Sequence, residues 1–174
     1  MRKLAVTLVT LALFSPVLAA DPMTNQSQTS KMQKESSPTA RQTMIHQHSP
    51  MVMPFDMNRV THHFVKNKRG GILRITVKDS KDKEQLEMVR QHLNMEAHLF
   101  SDANFRDPTK LHGEDMPGVK KLEKSKGLYT VKYKVAANGA QITFASKHAD
   151  VVAAFHIWFD AQLKDHAKDA VDHF

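Results

Sequence analysis

The segment Pro108-Thr-Lys-Leu-His-Gly-Glu-Asp-Met-Pro-Gly118 divides the chain into two halves of similar pattern. Proline near both ends of this segment forbids one continuous helix across it, and its glycines permit tight turns. In each half, strand-like residues come first and helically spaced apolar residues follow. The pattern therefore predicts two hairpin-helix units joined by a loop.

The first half has the pattern of a β-hairpin followed by a long helix. Val60 to Lys66 is β-branched and aromatic, and Ile72 to Val77 alternates after a turn. Apolar residues then recur at helical spacing, which predicts a helix capped by Asp79 or Ser80 and ending near Phe100.

The second half repeats this order. Leu128 to Val135 alternates, and Asn138-Gly139 is typical of a two-residue hairpin turn. A second helix is predicted from Ala149 to about Asp169, with Trp158 at the border of its buried stripe. We therefore predict an α+β domain over residues 55–174, in which two hairpins form a four-stranded antiparallel sheet with two helices on one face.

The first 20 residues have the features of an export signal. Arg2-Lys3 precedes the apolar run Leu4 to Leu18, and Ala19-Ala20 supplies the small residues needed for cleavage. The apolar run is shorter than the roughly 20 residues that span a bilayer. We predict a signal peptide over residues 1–20, a periplasmic or secreted location, and no membrane anchor after cleavage.

Residues 21–54 are rich in Ser, Thr, Gln and Lys and have neither strand nor helix periodicity. Such a segment buries too little apolar surface to offset its chain entropy, so a disordered linker is predicted. Its C-terminal end carries the soft metal ligands Met44, His46, His48, Met51 and Met53.

Charge and composition exclude several functions. Removal of Arg2 and Lys3 lowers the formal net charge from +7 to +5. Lysine and acidic residues alternate rather than form a stripe of one sign, so nucleic acid is not expected as a partner. The chain has no cysteine, which excludes disulfides, a thiolate nucleophile and covalent haem attachment.

The 10 methionines and 11 histidines remain as ligands for a soft metal. Thioether and neutral imidazole together favour copper, Cu(I) especially. His112 and Met116 lie four residues apart around Gly113 and are the first candidates. The alternative is a structured turn, in which the methionine fills a gap in the core and the histidine binds a carbonyl group.

Other histidines can complete such a site. His62 and His63 are adjacent on a predicted strand and point to opposite faces, so at most one can contribute. His92 shares a helix face with Met88 and Met95, a spacing that is also typical of core packing. The candidate metal ligands are His112, Met116, His62, His63, His92, His46, His48, Met51 and Met53.

Four short motifs resemble a family of small bacterial proteins without an established function. They are Met-Pro-Phe-Asp at 53–56, Thr-His-x-Phe at 61–64, His-Gly-x-x-Met-Pro-Gly at 112–118 and Trp-Phe-Asp-Ala-Gln-Leu at 158–163. The resemblance covers residues 53–166. It implies similar domain limits and supports His112 and Met116 as candidate site residues. Some members carry the label aspartate carbamoyltransferase, but this chain lacks that enzyme's Ser-Thr-Arg-Thr carbamoyl-phosphate loop.

These observations predict a periplasmic metal-binding protein with a copper ion as cofactor. Two alternatives stay open. A module that binds a non-metal ligand or another periplasmic protein would use the exposed sheet face or the Met-Pro-Gly loop. An exported enzyme would need a concave site containing His112, Asp115 and either His156 or His166. The chain has no nucleophile elbow, Gly-rich phosphate loop or His-Glu-x-x-His motif, which favours binding over catalysis.

Overall fold

The computed structural model describes residues 37–174, which form five α-helices and a mixed five-stranded sheet. The predicted signal peptide and residues 21–36 of the predicted linker lie outside this part of the chain. Among the helices of residues 37–174, none is long and apolar enough to cross a membrane. The elements are α1 (Ala40–His48), β1 (Val60–Asn67), β2 (Gly70–Val77), α2 (Lys83–Ser101), α3 (Arg106–His112), α4 (Val119–Glu123), β3 (Tyr129–Ala136), β4 (Gly139–Ser146), α5 (Ala149–His166) and β5 (Ala170–Val171).

The strand order of the sheet is β3-β4-β2-β1-β5. Both predicted hairpins form, and β2 pairs antiparallel with β4. β5 adds to β1 in the parallel direction, with His62 opposite Ala170 and His63 opposite Val171. The prediction of an α+β domain is confirmed. The prediction of only four antiparallel strands is wrong at this edge, because the chain after α5 returns alongside β1.

The core lies between one face of the sheet and helices α2 and α5. Alternate strand residues such as Phe64, Leu73 and Phe144 are buried on this face. Trp158 of α5 is 0% exposed, and its ring centroid lies 5.5 Å from that of Phe100 and 5.7 Å from that of Phe144. The predicted border position of Trp158 is therefore wrong, because the register of α5 turns this side chain to the centre of the core.

Part of the predicted disordered linker is helical. Thr39 caps α1 in a capping box with Gln42. Ile45 is 1% exposed, and Arg41 forms an ion pair with Asp165 of α5. The prediction of disorder is wrong for residues 40–48, because these contacts with the rest of the domain compensate for the low apolar content of the segment.

The central segment is less a loop than two short helices joined by a turn. α3 contains Pro108 in its first turn, where a missing backbone N–H removes no helical hydrogen bond. Gly113, with φ of 97°, ends α3, and Gly118, with φ of 84°, precedes α4. The chain after Gly118 forms a short helix, α4.

Alanine at position 118 is expected to destabilise the domain. The added Cβ would press against the carbonyl oxygen of Ala154 and lie 3.0 Å from the backbone nitrogen of Trp158. Strain at a positive φ adds to this overlap, so Gly118→Ala should lower the free energy of unfolding by about 2 to 4 kcal/mol. Urea unfolding followed by the fluorescence of Trp158 measures this loss.

Gly127→Ala is the matched control. Its φ of 80° is nearly the same, but an added Cβ at Gly127 would meet nothing within 4 Å. Backbone strain alone should cost about 1 to 2 kcal/mol there. Equal losses for the two variants would contradict the role of close packing at Gly118.

Candidate functional site

An internal cavity of about 50 Å³ lies between the inner face of the sheet and helices α2, α3 and α5. A water molecule needs roughly 10 to 15 Å³ on this measure, so the cavity has room for a metal ion with a water, or for a ligand of a few atoms. Apolar side chains form much of the wall. The polar and thioether side chains that line it are Met53, His62, His92, Glu96, Asp107, His112, Trp158, Gln162 and His166.

The cavity concentrates unpaired polar atoms. Among the described residues, seven buried side-chain nitrogen and oxygen atoms have no hydrogen-bond partner, and all seven belong to residues that line this cavity. A buried unpaired group costs about 1 to 3 kcal/mol, so native proteins keep few of them. Their concentration in one place indicates a binding site. The atoms are both ring nitrogens of His62, Nδ1 of His92 and His166, Oε1 of Glu96 and Gln162, and Nε1 of Trp158.

The ring of His112 is held by a buried carboxylate. Its Nδ1 lies 2.8 Å from Oδ2 of Asp165, and Arg41 of α1 donates to both oxygens of Asp165 at 2.6 Å. Arg41 also donates to the backbone oxygen of His112 at 3.0 Å. Because the Nδ1–H group donates a hydrogen bond to this carboxylate, the lone pair of neutral His112 is on Nε2, where it is available to a ligand.

Three imidazoles form a continuous group. The ring of His62 stacks on that of His166 at a centroid distance of 4.9 Å, and His166 meets His112 edge-on at 5.1 Å. His92 is the fourth imidazole, and Phe55 lies between it and the other three. The ring centroid of Phe55 is 5.9 Å from that of His62 and 5.4 Å from that of His92. Residues from β1, α2, α3 and α5 therefore meet at one place.

Burial keeps these imidazoles neutral. It lowers the pKa of His62 to about 3, with the neighbouring His92 acting in the same direction, and lowers the pKa of His92 to about 4. Burial also lowers the pKa of His112, against the opposing effect of Asp165, and places the pKa of His166 well below its ordinary value. Neutral imidazole is the form that binds metal ions.

The carboxyl groups of Glu96 and Asp165 differ in charge. Burial raises the pKa of Glu96 to about 9, and the neighbouring Asp107 acts in the same direction, so Glu96 is protonated at pH 7. Burial acts to raise the pKa of Asp165, but the hydrogen bonds from Arg41 and His112 outweigh it, and the pKa lies below its ordinary value. Asp165 is therefore ionised.

Four of the predicted ligands line the cavity, namely Met53, His62, His92 and His112. Met116, which was predicted to share a metal site with His112, does not line the cavity. Met116 is buried in the turn between α3 and α4 and packs with the hydrophobic core. It takes the place expected from the alternative interpretation, in which the methionine fills a gap in the core.

The remaining predicted ligands are dispersed. His63 lies on the opposite face of the sheet from His62, with its Nε2 3.0 Å from Oγ1 of Thr76. His46 lies 3.4 Å from Asp169 at the surface of α1. His48 and Met51 are exposed.

The residues named for an enzyme site do not all converge. Asp115 is exposed and pairs with Lys120. The Nε2 atom of His156 lies 3.0 Å from the backbone oxygens of Asn67 and Gly70, outside the cavity lining. Only His166 joins His112.

Sequence reasoning missed Glu96, Asp107 and Gln162 and gave too little weight to His166. A signal was present in both helices. His92 and Glu96 on α2 are four residues apart, as are Gln162 and His166 on α5, and each pair lies beside a buried apolar stripe. Polar residues at core-facing positions in two helices indicate a shared polar site.

The cavity lining offers groups to two classes of ligand, a metal ion and a small neutral polar molecule. Neutral imidazoles offer lone pairs to a cation, whereas Nε1 of Trp158 offers a hydrogen-bond donor and Oε1 of Glu96 an acceptor. Within residues 37–174, no three His, Cys, Asp or Glu side chains lie close enough together to hold a metal ion without rearrangement. Comparison of the chain with known protein families, with curated proteins and with solved structures found no match.

Proposed function

We propose that the protein binds copper in the buried cavity, with His62, His112 and His166 as the principal ligands. The observation that carries this proposal is the concentration of seven unpaired buried atoms on the residues of one cavity. Four neutral imidazoles line that cavity, so ligand lone pairs are present without a charge that would repel a cation.

Two features favour copper among the transition metals. Divalent copper binds nitrogen and oxygen sites more tightly than the other divalent first-row metals. The thioether of Met53 also lines the cavity, and thioether with imidazole suits Cu(I). The Asp165 carboxylate supports His112 as an outer-shell partner, an arrangement that orients a ligating ring and raises its basicity.

The predicted export signal supports a periplasmic or secreted location for the protein. A periplasmic or secreted protein without cysteine must hold copper through imidazole and thioether groups rather than thiolates. We therefore propose a periplasmic protein that holds copper away from solvent.

A copper titration against a competing chelator tests the proposal. We expect wild type to bind one copper ion per chain, and His62→Gln to weaken binding by more than the roughly 10- to 100-fold typical of losing an outer-shell partner. His63→Gln is the matched control, because it changes the next residue of the same strand on the opposite face of the sheet. The proposal is wrong if the chelator removes all copper from wild type, or if both variants bind alike while remaining folded.

A small neutral polar molecule is the second candidate ligand. It is favoured by the unpaired Nε1 of Trp158, a donor that a cation would not use, and by the unpaired Oε1 of protonated Glu96, which is a neutral acceptor. A thermal-shift screen of small amides and polyols, with a metal chelator present, tests it. A compound that stabilises wild type but not Glu96→Ala would support this function. A compound that stabilises both proteins equally would show that it binds outside the cavity.

A further inference from the structure

A surface groove lies directly outside the buried cavity. The groove has a volume of about 400 Å³, and its lining includes Met51, Val52, His92 and Met95. Val52 and His92 also line the buried cavity. These two residues are therefore shared by the groove and the cavity, and His92 is the imidazole common to both.

The groove presents two thioethers to solvent. Met51 is 58% exposed and Met95 is 42% exposed, although methionine is usually buried. Met95 lies three residues after His92 on α2, so the two side chains are neighbours on the helix surface. The backbone oxygen of Met51 accepts a hydrogen bond from Nζ of Lys110 at 3.4 Å, which ties the segment carrying Met51 to α3.

Thioethers select a particular class of ion. They are soft, uncharged ligands that suit Cu(I) and leave hard cations such as magnesium and calcium in water. Methionine is also unbranched and has three rotatable bonds, so two such side chains can adapt around one ion. An imidazole beside them supplies a further ligand for the same ion.

We propose that this groove is an outer binding site for monovalent soft metal ions, in which Met51, Met95 and His92 take up Cu(I) from solution. From there the ion passes to the imidazoles of the cavity, a step that rests on the proposed function. The transfer is a ligand exchange: bonds from copper to the two sulfur atoms break as bonds to ring nitrogens form. Copper stays Cu(I) throughout, so no electron donor or acceptor is needed.

The binding step is tested with Ag(I), a redox-inert probe for Cu(I), on the full chain carrying ¹³C-labelled methionine methyl groups. The His62→Gln background weakens the cavity site and leaves the groove intact. We expect the methyl resonances of Met51 and Met95 to shift together and to saturate near one equivalent. Met44, which is 39% exposed on α1, is the internal control and should stay in place. Shifts at Met44 equal to those at Met51 and Met95, or no shift at these two, would overturn the site.

The transfer step is tested by comparing the rates at which the cavities of wild type and of a groove variant bind Cu(I). The double variant Met51→Leu/Met95→Leu should load at least about tenfold more slowly, the lower end of what loss of a supporting group costs at metal sites, and reach the same final affinity. Met44→Leu should load at the wild-type rate. Loading of the double variant at the wild-type rate would overturn the transfer.

The two proposals fail in different ways. If the cavity binds no copper but the Ag(I) shifts at Met51 and Met95 persist, the proposed function is wrong and the outer site stands. If the cavity binds copper and these two methyl groups do not respond to Ag(I), the outer site alone is wrong. A groove that serves only to dock an apolar partner gives this second result.

Discussion

The free energy of unfolding of the metal-free protein is expected to reach its maximum near pH 7 and to fall on both sides. The acid limb comes from the buried imidazoles. Burial lowers their pKa values in the folded protein from the ordinary value of about 6.5. The pKa is about 3 for His62 and about 4 for His92. Below pH 6.5 the unfolded chain therefore takes up protons that the folded chain does not, and stability falls with pH.

The size of the acid limb follows from the proton difference. Each proton changes the free energy of unfolding by about 1.4 kcal/mol per pH unit, so His62 and His92 together should cost about 4 kcal/mol between pH 7 and pH 5. His112 and His166 act in the same direction. A small domain has about 5 to 15 kcal/mol in total, so a change of this size is a large fraction of its stability.

Glu96 has the opposite sign and produces the alkaline limb. Its folded pKa is raised from 4.5 to about 9, so the folded chain holds a proton that the unfolded chain has released. Stability from this group is fully present below pH 4.5 and is lost as the pH rises to 9. Between pH 7 and pH 5 it offsets about 3 kcal/mol of the histidine effect.

Urea unfolding from pH 5 to pH 9, followed by Trp158 fluorescence, measures both limbs. Glu96→Gln should remove the alkaline fall and deepen the acid fall by about 3 kcal/mol between pH 7 and pH 5. His156→Gln, outside the cavity, is the control for a substitution elsewhere in the domain. A Glu96→Gln profile that is flat between pH 7 and pH 5 would contradict the burial of neutral imidazoles.

Asp165→Asn is expected to lower both the stability of the domain and its affinity for copper. Asp165 is buried, accepts two hydrogen bonds from Arg41 and accepts a third from the Nδ1–H group of His112. Arg41 is half-exposed, so water can solvate its charge once the carboxylate is gone, and the expected loss is about 1 to 3 kcal/mol, mainly from the buried Nδ1–H group of His112. Loss of the carboxylate also frees the ring of His112, which should weaken copper binding by about 10- to 100-fold.

Arg41→Gln separates the two effects. It breaks the same ion pair from its half-exposed side and leaves the hydrogen bond between Asp165 and His112 in place. We expect this variant to lose stability while its copper affinity stays close to that of wild type. Urea unfolding and the chelator titration measure the two quantities. Equal losses of copper affinity in both variants would contradict the orienting role of Asp165.

The sequence predicted those parts of the fold that depend on local patterns. Alternation predicted both hairpins, and Asn138-Gly139 located the turn of the second. The cap of α2 is Asp82 rather than Asp79 or Ser80, because several polar residues in that turn can accept the capping hydrogen bond. Local pattern did not predict α1 or β5. Both depend on distant partners, α5 for the helix and β1 for the strand.

The candidate site was predicted in part for the same reason. The alternation of β1 separated His62 from His63, and the structure places His62 inside. Nothing local distinguishes a methionine that fills the core from one that lines a cavity. Met116, predicted as a principal ligand, fills the core, whereas Met53, predicted in the flexible arm, lines the cavity. His166 depends on the packing of α5 against β1 and α3, which brings together residues more than 50 positions apart, and no periodicity reports such a contact.

The central claim is that copper binds inside the cavity through imidazole groups. Diffraction from crystals of the copper-loaded protein, recorded on both sides of the copper absorption edge, locates the ion directly. We expect one anomalous peak in the cavity, within bonding distance of ring nitrogens from at least two of His62, His92, His112 and His166. A peak only at the surface, or no peak within the cavity of a crystal that contains copper, would contradict the claim.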